Sequence, residues 1–266
     1  MENTLLKLTD ENYFSQEANR QYMEVSQFKG FLPKYGGCEA KQMAMLDGTY
    51  KQEDSTPLLV GSYVHSHFEG ALDKFKEEHP EIFAKTGSLK SQYQQANDMI
   101  NCLETDESFK SVYTGDKEKI FTFDLFGAPW KIKVDCLNLK DGYFVDLKTT
   151  RDFQKVWNEE LHRKVSFAEA WGYLVQIAVY KKGIELATNT KDIDGFIAAV
   201  TKQSPPDKAI LYFTPEDYEI GFQEVEENIQ HVLDVKNGNV APERCEHCDY
   251  CRATKQLDKA VHYTEL

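Results

Sequence analysis

The stretch from Lys119 to Lys148 constrains the fold more than any other part of the chain. Lys119–Phe126, Trp130–Leu139 and Tyr143–Lys148 are apolar, strand-like runs, which predicts three strands. Gly127-Ala128-Pro129 and Lys140-Asp141-Gly142 supply turn residues between them. Connections this short make an antiparallel meander. Acids interrupt it twice, at Asp135 in the second run and Asp146 in the third. A lone buried carboxylate is costly, so each requires a partner or a cation unless it faces solvent on an edge strand.

Strand geometry sends every second side chain to the same face, so Asp146 and Lys148 point the same way. A carboxylate and an ammonium side by side, with a second carboxylate close by, can hold a divalent cation and an attacking water together. Metal-assisted phosphodiester hydrolysis has that requirement. Mg²⁺ takes oxygen ligands and keeps several waters, so two carboxylates and a backbone carbonyl are enough protein ligands.

The flanking sequence is mostly helical in pattern. A helix is expected from Ser26 as N-cap, with a break over Pro33–Gly37 and a second helix from near Cys38. Leu58–Glu78 carries Val60, Val64, Phe68, Leu72 and Phe75 at helical spacing. Leu89–Phe109 and Val165–Lys182 also read as helix. Gly195–Thr201 and Ala209–Thr214 read as strands, and Pro215–Val235 as a helix with proline at its start. Residues 1–20 form a polar lead-in. This order predicts one mixed α/β domain, a central mixed sheet flanked by helices.

With 266 residues and 41% hydrophobic content, the chain can bury a substantial core. No run is long enough to span a bilayer. The polar start lacks the pattern of a secretory signal, which makes the cytoplasm the expected location. A net charge of −13 argues against a uniformly basic nucleic-acid surface, although a basic groove can coexist with an acidic exterior.

Three further features bear on chemistry. On the helix around Trp171, Gly172, Gln176 and Tyr180 share a face by i, i+4 spacing; Gln176 can brace the site, touch phosphate or face solvent. His65, in Gly61-Ser62-Tyr63-Val64-His65, lies beside an apolar helical stripe, where a histidine is a ligand less often than a packed residue. Cys245, Cys248 and Cys251 recur every third residue, a spacing that lets thiolates reach one metal. Zinc, with His247 or Cys38 as fourth ligand, and free thiols are both open. Cys102 and Cys136 read as packed residues.

Gly61-Ser-Tyr-Val-His65, Lys133-Val-Asp135, Val145-Asp-Leu-Lys148-Thr149-Thr150 and Gln176-x-x-x-Tyr180, in this order, resemble the PD-(D/E)xK nuclease superfamily. The series is most similar to RecB-like phage and prophage exonucleases of the RecE (exonuclease VIII) type. Val134 stands where the motif's proline would precede the first acid. The resemblance implies a PD-(D/E)xK core over residues 58–235, preceded by helices over 1–57 and followed by a Cys-rich segment over 236–266. It implies that Asp135, Asp146, the Leu147 carbonyl and His65 ligate Mg²⁺ or Mn²⁺, and that Lys148 activates the water. Gln176 and Tyr180 would support the site, and Thr149 and Thr150 would bind DNA phosphate. Double-stranded DNA ends, a single-strand annealing protein and a homo-oligomeric ring are the implied partners. Some RecB-like nucleases carry a [4Fe-4S] cluster on one early and three late cysteines, here Cys38 with Cys245, Cys248 and Cys251.

Overall fold

The meander forms as expected and supplies three strands of a five-stranded sheet. In the computed structural model, residues 5–158, 162–257, 260 and 262–265 are described. The strands are β1 Asp116–Leu125, β2 Ala128–Asn138, β3 Tyr143–Thr150, β4 Val156–Asn158, β5 Arg163–Val165, β6 Asp194–Thr201 and β7 Lys208–Leu211. The helices are α1 Gln16–Gln21, α2 Val25–Phe31, α3 Glu39–Leu46, α4 Thr56–Glu69, α5 Leu72–Glu78, α6 Gln95–Glu104, α7 Glu107–Val112, α8 Phe167–Ala170, α9 Tyr173–Thr188, α10 Pro215–Lys236 and α11 Asp249–Ala253.

The main sheet runs β1-β2-β3-β6-β7. The pairs β1–β2, β2–β3 and β6–β7 are antiparallel, and β3–β6 is parallel. Parallel neighbours need a crossover connection; here it contains the small β4–β5 hairpin, α8 and α9. The turn between β1 and β2 is Phe126-Gly127, both with positive φ (49° and 77°), the conformation that suits the strand twist of a two-residue hairpin.

Each face of the sheet carries a helical layer. Trp130, Ile132, Val134 and Phe144 pack with residues of α2, α9 and α10, among them Phe28, Ile177 and Val225. On the opposite side Cys136, Val145, Leu147 and Val200 pack with Val60 and Val64 of α4, Met99 of α6 and Phe109 of α7.

Several expectations needed correction. The helix expected over Leu58–Glu78 is two helices, because Gly70 takes the left-handed conformation (φ 77°) and ends α4. The helix expected over Val165–Lys182 starts as the last residue of β5, and Gly172 (φ 65°) separates α8 from α9. A side chain at Gly172 would also collide with Lys29 and Tyr35, each 2.8 Å from the position of a Cβ. Glu24 rather than Ser26 occupies the N-cap of α2. Strand β7 stops at Leu211, short of Thr214, which caps α10 in a capping box with Asp217.

The polar lead-in is held by two buried lysines. Lys131 of β2, fully buried, donates to the Tyr13 carbonyl and to Asn19 Oδ1 (2.6 Å), with Glu24 Oε2 at 3.4 Å. Lys236, at the end of α10, donates to the Asn19 and Tyr22 carbonyls (2.9 and 2.7 Å) and to Gln27 Oε1 (2.7 Å). An ammonium has three protons to donate, and this one satisfies three acceptors that would otherwise be costly to bury.

Candidate active site

Strands β2 and β3 part company at the two aspartates. Their ladder pairs Asn138 with Tyr143, Leu137 with Phe144 and Cys136 with Val145, and goes no further. Beyond that rung β3 continues to pair with β6 as far as Thr150–Thr201. Where the next rung would be, Asp135 Oδ2 accepts the Leu147 amide at 2.7 Å, so a side chain replaces a main-chain carbonyl. The result is a fork with a carboxylate on each arm, opening into a cleft of about 490 Å³.

Asp146, 2% exposed, is the centre of this arrangement. Gln176 of α9 donates Nε2 to Asp146 Oδ1 at 2.6 Å, and Lys148 Nζ lies 2.5 Å from Oδ2. Despite that ion pair, Oδ2 is fully buried and receives no well-directed hydrogen bond. A carboxylate oxygen held in this state is suited to a cation.

Burial raises Asp146 to about 6, reinforced by Asp135 and opposed by Lys148. Asp135 is likewise raised to about 6 by burial, with Lys148 opposing and Glu118 adding. Burial works against the Lys148 charge, but Asp146 and Asp135 outweigh it and hold the ammonium above the ordinary lysine value. Lys148 therefore stays charged at neutral pH.

His65 enters from α4, on the other face of the sheet. Its Nδ1 is 3.7 Å from Asp135 Oδ2, and the ring also meets the Leu147 carbonyl. Burial and the nearby Lys148 lower His65 to about 4, so it is neutral at pH 7 and has a lone pair to offer. Gly61 explains how the helix comes so close: a Cβ there would sit 2.8 Å from Thr149 Oγ1. The Gly-x-x-x-His spacing thus puts a contact point and a neutral imidazole one helical turn apart. Tyr180 lines the same cleft and packs on Phe144 at 6.1 Å between ring centroids.

The two threonines diverge. Thr149 Oγ1 accepts Lys202 Nζ at 3.1 Å beside the cleft. Thr150 is buried, and its hydroxyl donates to the Asp152 carbonyl at 3.3 Å. Only Thr149 is presented together with a cation.

Residues far apart in sequence complete the cleft. Lys29 of α2 donates to the Trp171 carbonyl at 2.9 Å, and burial with repulsion from Lys148 lowers it to about 8. Glu69, one turn beyond His65 on α4, and Glu118 of β1 line the cleft beside Lys133. Burial raises both acids, Glu118 to about 7, and Glu118 Oε1 is another buried oxygen without a hydrogen bond. Trp171 is half exposed at the boundary of neighbouring hollows that also expose Thr149 and Lys202. Glu69 was detectable in the sequence from its i, i+4 relation to His65. Lys29 and Lys202 carry no local signal.

At a distance from the fork, Cys38, Cys245, Cys248 and Cys251 come together, with all four sulfurs within 4.8 Å of one another. His247 is outside this group; it is exposed, and its Nδ1 faces the Cys245 carbonyl at 2.6 Å. Cys136 is buried as expected, and Cys102 is half buried near the Pro206 carbonyl.

A family model described as a PDDEXK-like domain of unknown function (DUF3799) matches residues 24–254. The chain belongs to the PDDEXK-like family. Among solved structures, a "Putative exonuclease" from Eubacterium rectale is 43% identical, with a TM-score of 0.91 and coverage of 98% of both chains. A structure of SSO0001 has a TM-score of 0.29 at 14% identity, over 80% of this chain and 91% of that one, and has no bearing on fold or function. No curated protein matches the chain. The PDDEXK-like match contains all three forked residues, Asp135, Asp146 and Lys148. Among the described residues, no helix is long and apolar enough to cross a membrane.

Proposed function

We propose that this PDDEXK-like protein is a metal-dependent deoxyribonuclease that degrades linear double-stranded DNA from its ends, in the 5′ to 3′ direction. The observation that carries the reading is Asp146 Oδ2, a buried carboxylate oxygen beside the Lys148 ammonium and across the fork from Asp135. The donor set is hard and oxygen-rich, which fits Mg²⁺ or Mn²⁺. Asp135, Asp146 and the Leu147 carbonyl would hold the ion, with His65 as a neutral nitrogen donor. The bound ion would supply Lewis-acid polarisation of the phosphate and a lowered pKa for its water.

The protein groups have separate tasks. Lys148, kept charged by the two aspartates, orients the attacking water and offsets charge that builds on the phosphate oxygens. Gln176 fixes the rotation of the Asp146 carboxylate, and Tyr180 closes the floor of the cleft. Lys29 in the cleft, and Lys202 with the Thr149 hydroxyl in the hollow beside it, provide positive charge and donors where an acidic chain most needs them to receive DNA. The resemblance to RecE-type exonucleases supports a wider role in phage-type recombination, as a ring-shaped homo-oligomer working with a single-strand annealing protein.

End-labelled linear duplex and closed circular duplex, each incubated with and without Mg²⁺, test the reading. The expected result is EDTA-sensitive release of nucleotides from linear DNA alone, abolished in Lys148→Ala with the fold intact by circular dichroism. Cleavage of circles would make it an endonuclease. Binding of ends without hydrolysis, or full turnover by Lys148→Ala, would refute the mechanism.

A further inference from the structure

We infer that Cys38, Cys245, Cys248 and Cys251 form a closed tetrahedral site for a single zinc ion, which fastens the C-terminal segment to the start of α3. No disulfide links these cysteines. Cys38 Sγ is 3.6 Å from Cys251 Sγ, and Cys245 Sγ is 4.0 Å from Cys251 Sγ. All four sulfurs lie within 4.8 Å of one another. A zinc ion with four thiolates at its usual bond length separates neighbouring sulfurs by about 3.8 Å. A four-iron cube carries one thiolate on each iron and spreads the sulfurs to about 6 Å. The cluster is too tight for the cube and matches a single ion. The iron–sulfur centre implied by the RecB-like resemblance therefore does not fit these residues.

The backbone around the sulfurs supports this assignment. The Cys248 amide points at Cys245 Sγ (3.3 Å) and the Cys251 amide at Cys248 Sγ (3.4 Å). Amide donors of this kind stabilise thiolates and orient metal ligands. Between the first two cysteines, Glu246 adopts a positive φ of 62°, which curls the loop so that both sulfurs face inward. Arg244 braces the loop from outside through the Cys251 carbonyl (2.7 Å) and Thr254 Oγ1 (3.0 Å).

Besides the sulfurs, the segment meets α3 and its C-terminal end through the Ala40 amide to the Glu243 carbonyl (3.0 Å), the Glu243 amide to Glu39 Oε2 (2.8 Å) and the Tyr50–Tyr250 ring pair. Helix α11 has only five residues, too few to be stable alone. The local apolar cluster consists of Cys38, Ala40 and Cys251, with Cys245, Cys248 and Tyr250 partly buried around them. Four thiolates saturate zinc and leave no open position, so the ion is structural, not catalytic. Its reach extends to the groove formed by Lys29, Gly36, Gly37, Cys38 and Trp171, because Cys38 anchors one wall.

The test is elemental analysis of the full chain, purified anaerobically from iron-supplemented cells without added zinc. About one zinc per chain, no acid-labile sulfide and no absorbance band near 400 nm is the expected result. Cys245→Ser should lower the zinc content well below one and the melting temperature by several degrees, whereas Cys102→Ser, outside the site, retains both. Replacement by Co²⁺ should give thiolate charge-transfer and visible bands of a tetrahedral ion. Iron in place of zinc, with or without sulfide, or a chain free of metal, would overturn the inference. If Cys245→Ser does not fold, the metal content and cobalt spectrum of the unaltered chain still decide it. None of these readouts depends on nuclease activity.

Discussion

Gln176→Met isolates the role of orientation in the proposed metal site. The substitution keeps the volume of the side chain and removes its donor. The lost contact is a 2.6 Å hydrogen bond to a charged acceptor in a nearly dry position. Hydrogen bonds to charged groups contribute ~1.5–3 kcal/mol, equivalent to roughly 10- to 150-fold in an equilibrium constant. Groups that orient a metal ligand have effects of similar size, about 10- to 100-fold in metal affinity. The expected phenotype is an Mg²⁺ requirement shifted upward by roughly 10- to 100-fold, with most of the maximal rate recovered at saturating Mg²⁺. Asp146→Asn, in contrast, should fail at every Mg²⁺ concentration. The assay is nucleotide release from linear duplex across an Mg²⁺ titration. An unchanged Mg²⁺ midpoint in Gln176→Met would refute the argument that this amide holds the carboxylate in position.

Three more outcomes follow from the same geometry. Gly61→Ala should destabilise the chain by ~1–3 kcal/mol and reduce activity, because its Cβ would sit 2.8 Å from Thr149 Oγ1 and push α4 and His65 away; an unaltered melting temperature and rate would show that the approach is not tight. Because Asp135 and Asp146 are raised to about 6, the native metal-free chain binds more protons than the unfolded chain between the ordinary aspartate value and 6. Both groups therefore withdraw stability as pH rises through that window, so thermal melts of Asp146→Asn should show a smaller loss there than the parent chain, and Mg²⁺ should raise the melting temperature more at pH 7.5 than at pH 5. Identical pH profiles for the two proteins would contradict this. Lys202→Met should weaken DNA binding and make the log–log salt slope shallower by about 0.9, measured by fluorescence anisotropy on a duplex end; an unchanged slope would remove Lys202 from the DNA path.

The parts of the site that were legible in sequence are those encoded by short-range periodicity. Apolar runs between turn residues marked the strands that hold Asp135, Asp146 and Lys148, and helical spacing put Gln176 on a face that meets Asp146. The Cys245-x-x-Cys248-x-x-Cys251 spacing was equally plain, and Cys38 joined it through the family resemblance. What periodicity misses is where a helix yields to a left-handed glycine, as at Gly70 and Gly172. Both glycines lie inside segments whose apolar pattern continues past them. The positive charge in and beside the cleft was hidden for another reason. Lys29 and Lys202 reach Trp171 and Thr149 across separations of 142 and 53 residues, and neither belongs to a recognisable local pattern. The lead-in read as merely polar because part of its order comes from distant partners, among them lysines supplied by β2 and by the end of α10 and the Leu46 carbonyl that accepts Gln16.

Those lysines also set a timetable for biosynthesis. Lys236 grips carbonyls that leave the ribosome more than 200 residues earlier. Until it emerges, the backbone that carries Tyr13 and Glu24 to the cleft lacks one of its two clasps. The wall of the cleft that carries Tyr13 and Glu24 is thus completed only after Lys236 has been made and α10 has folded onto it.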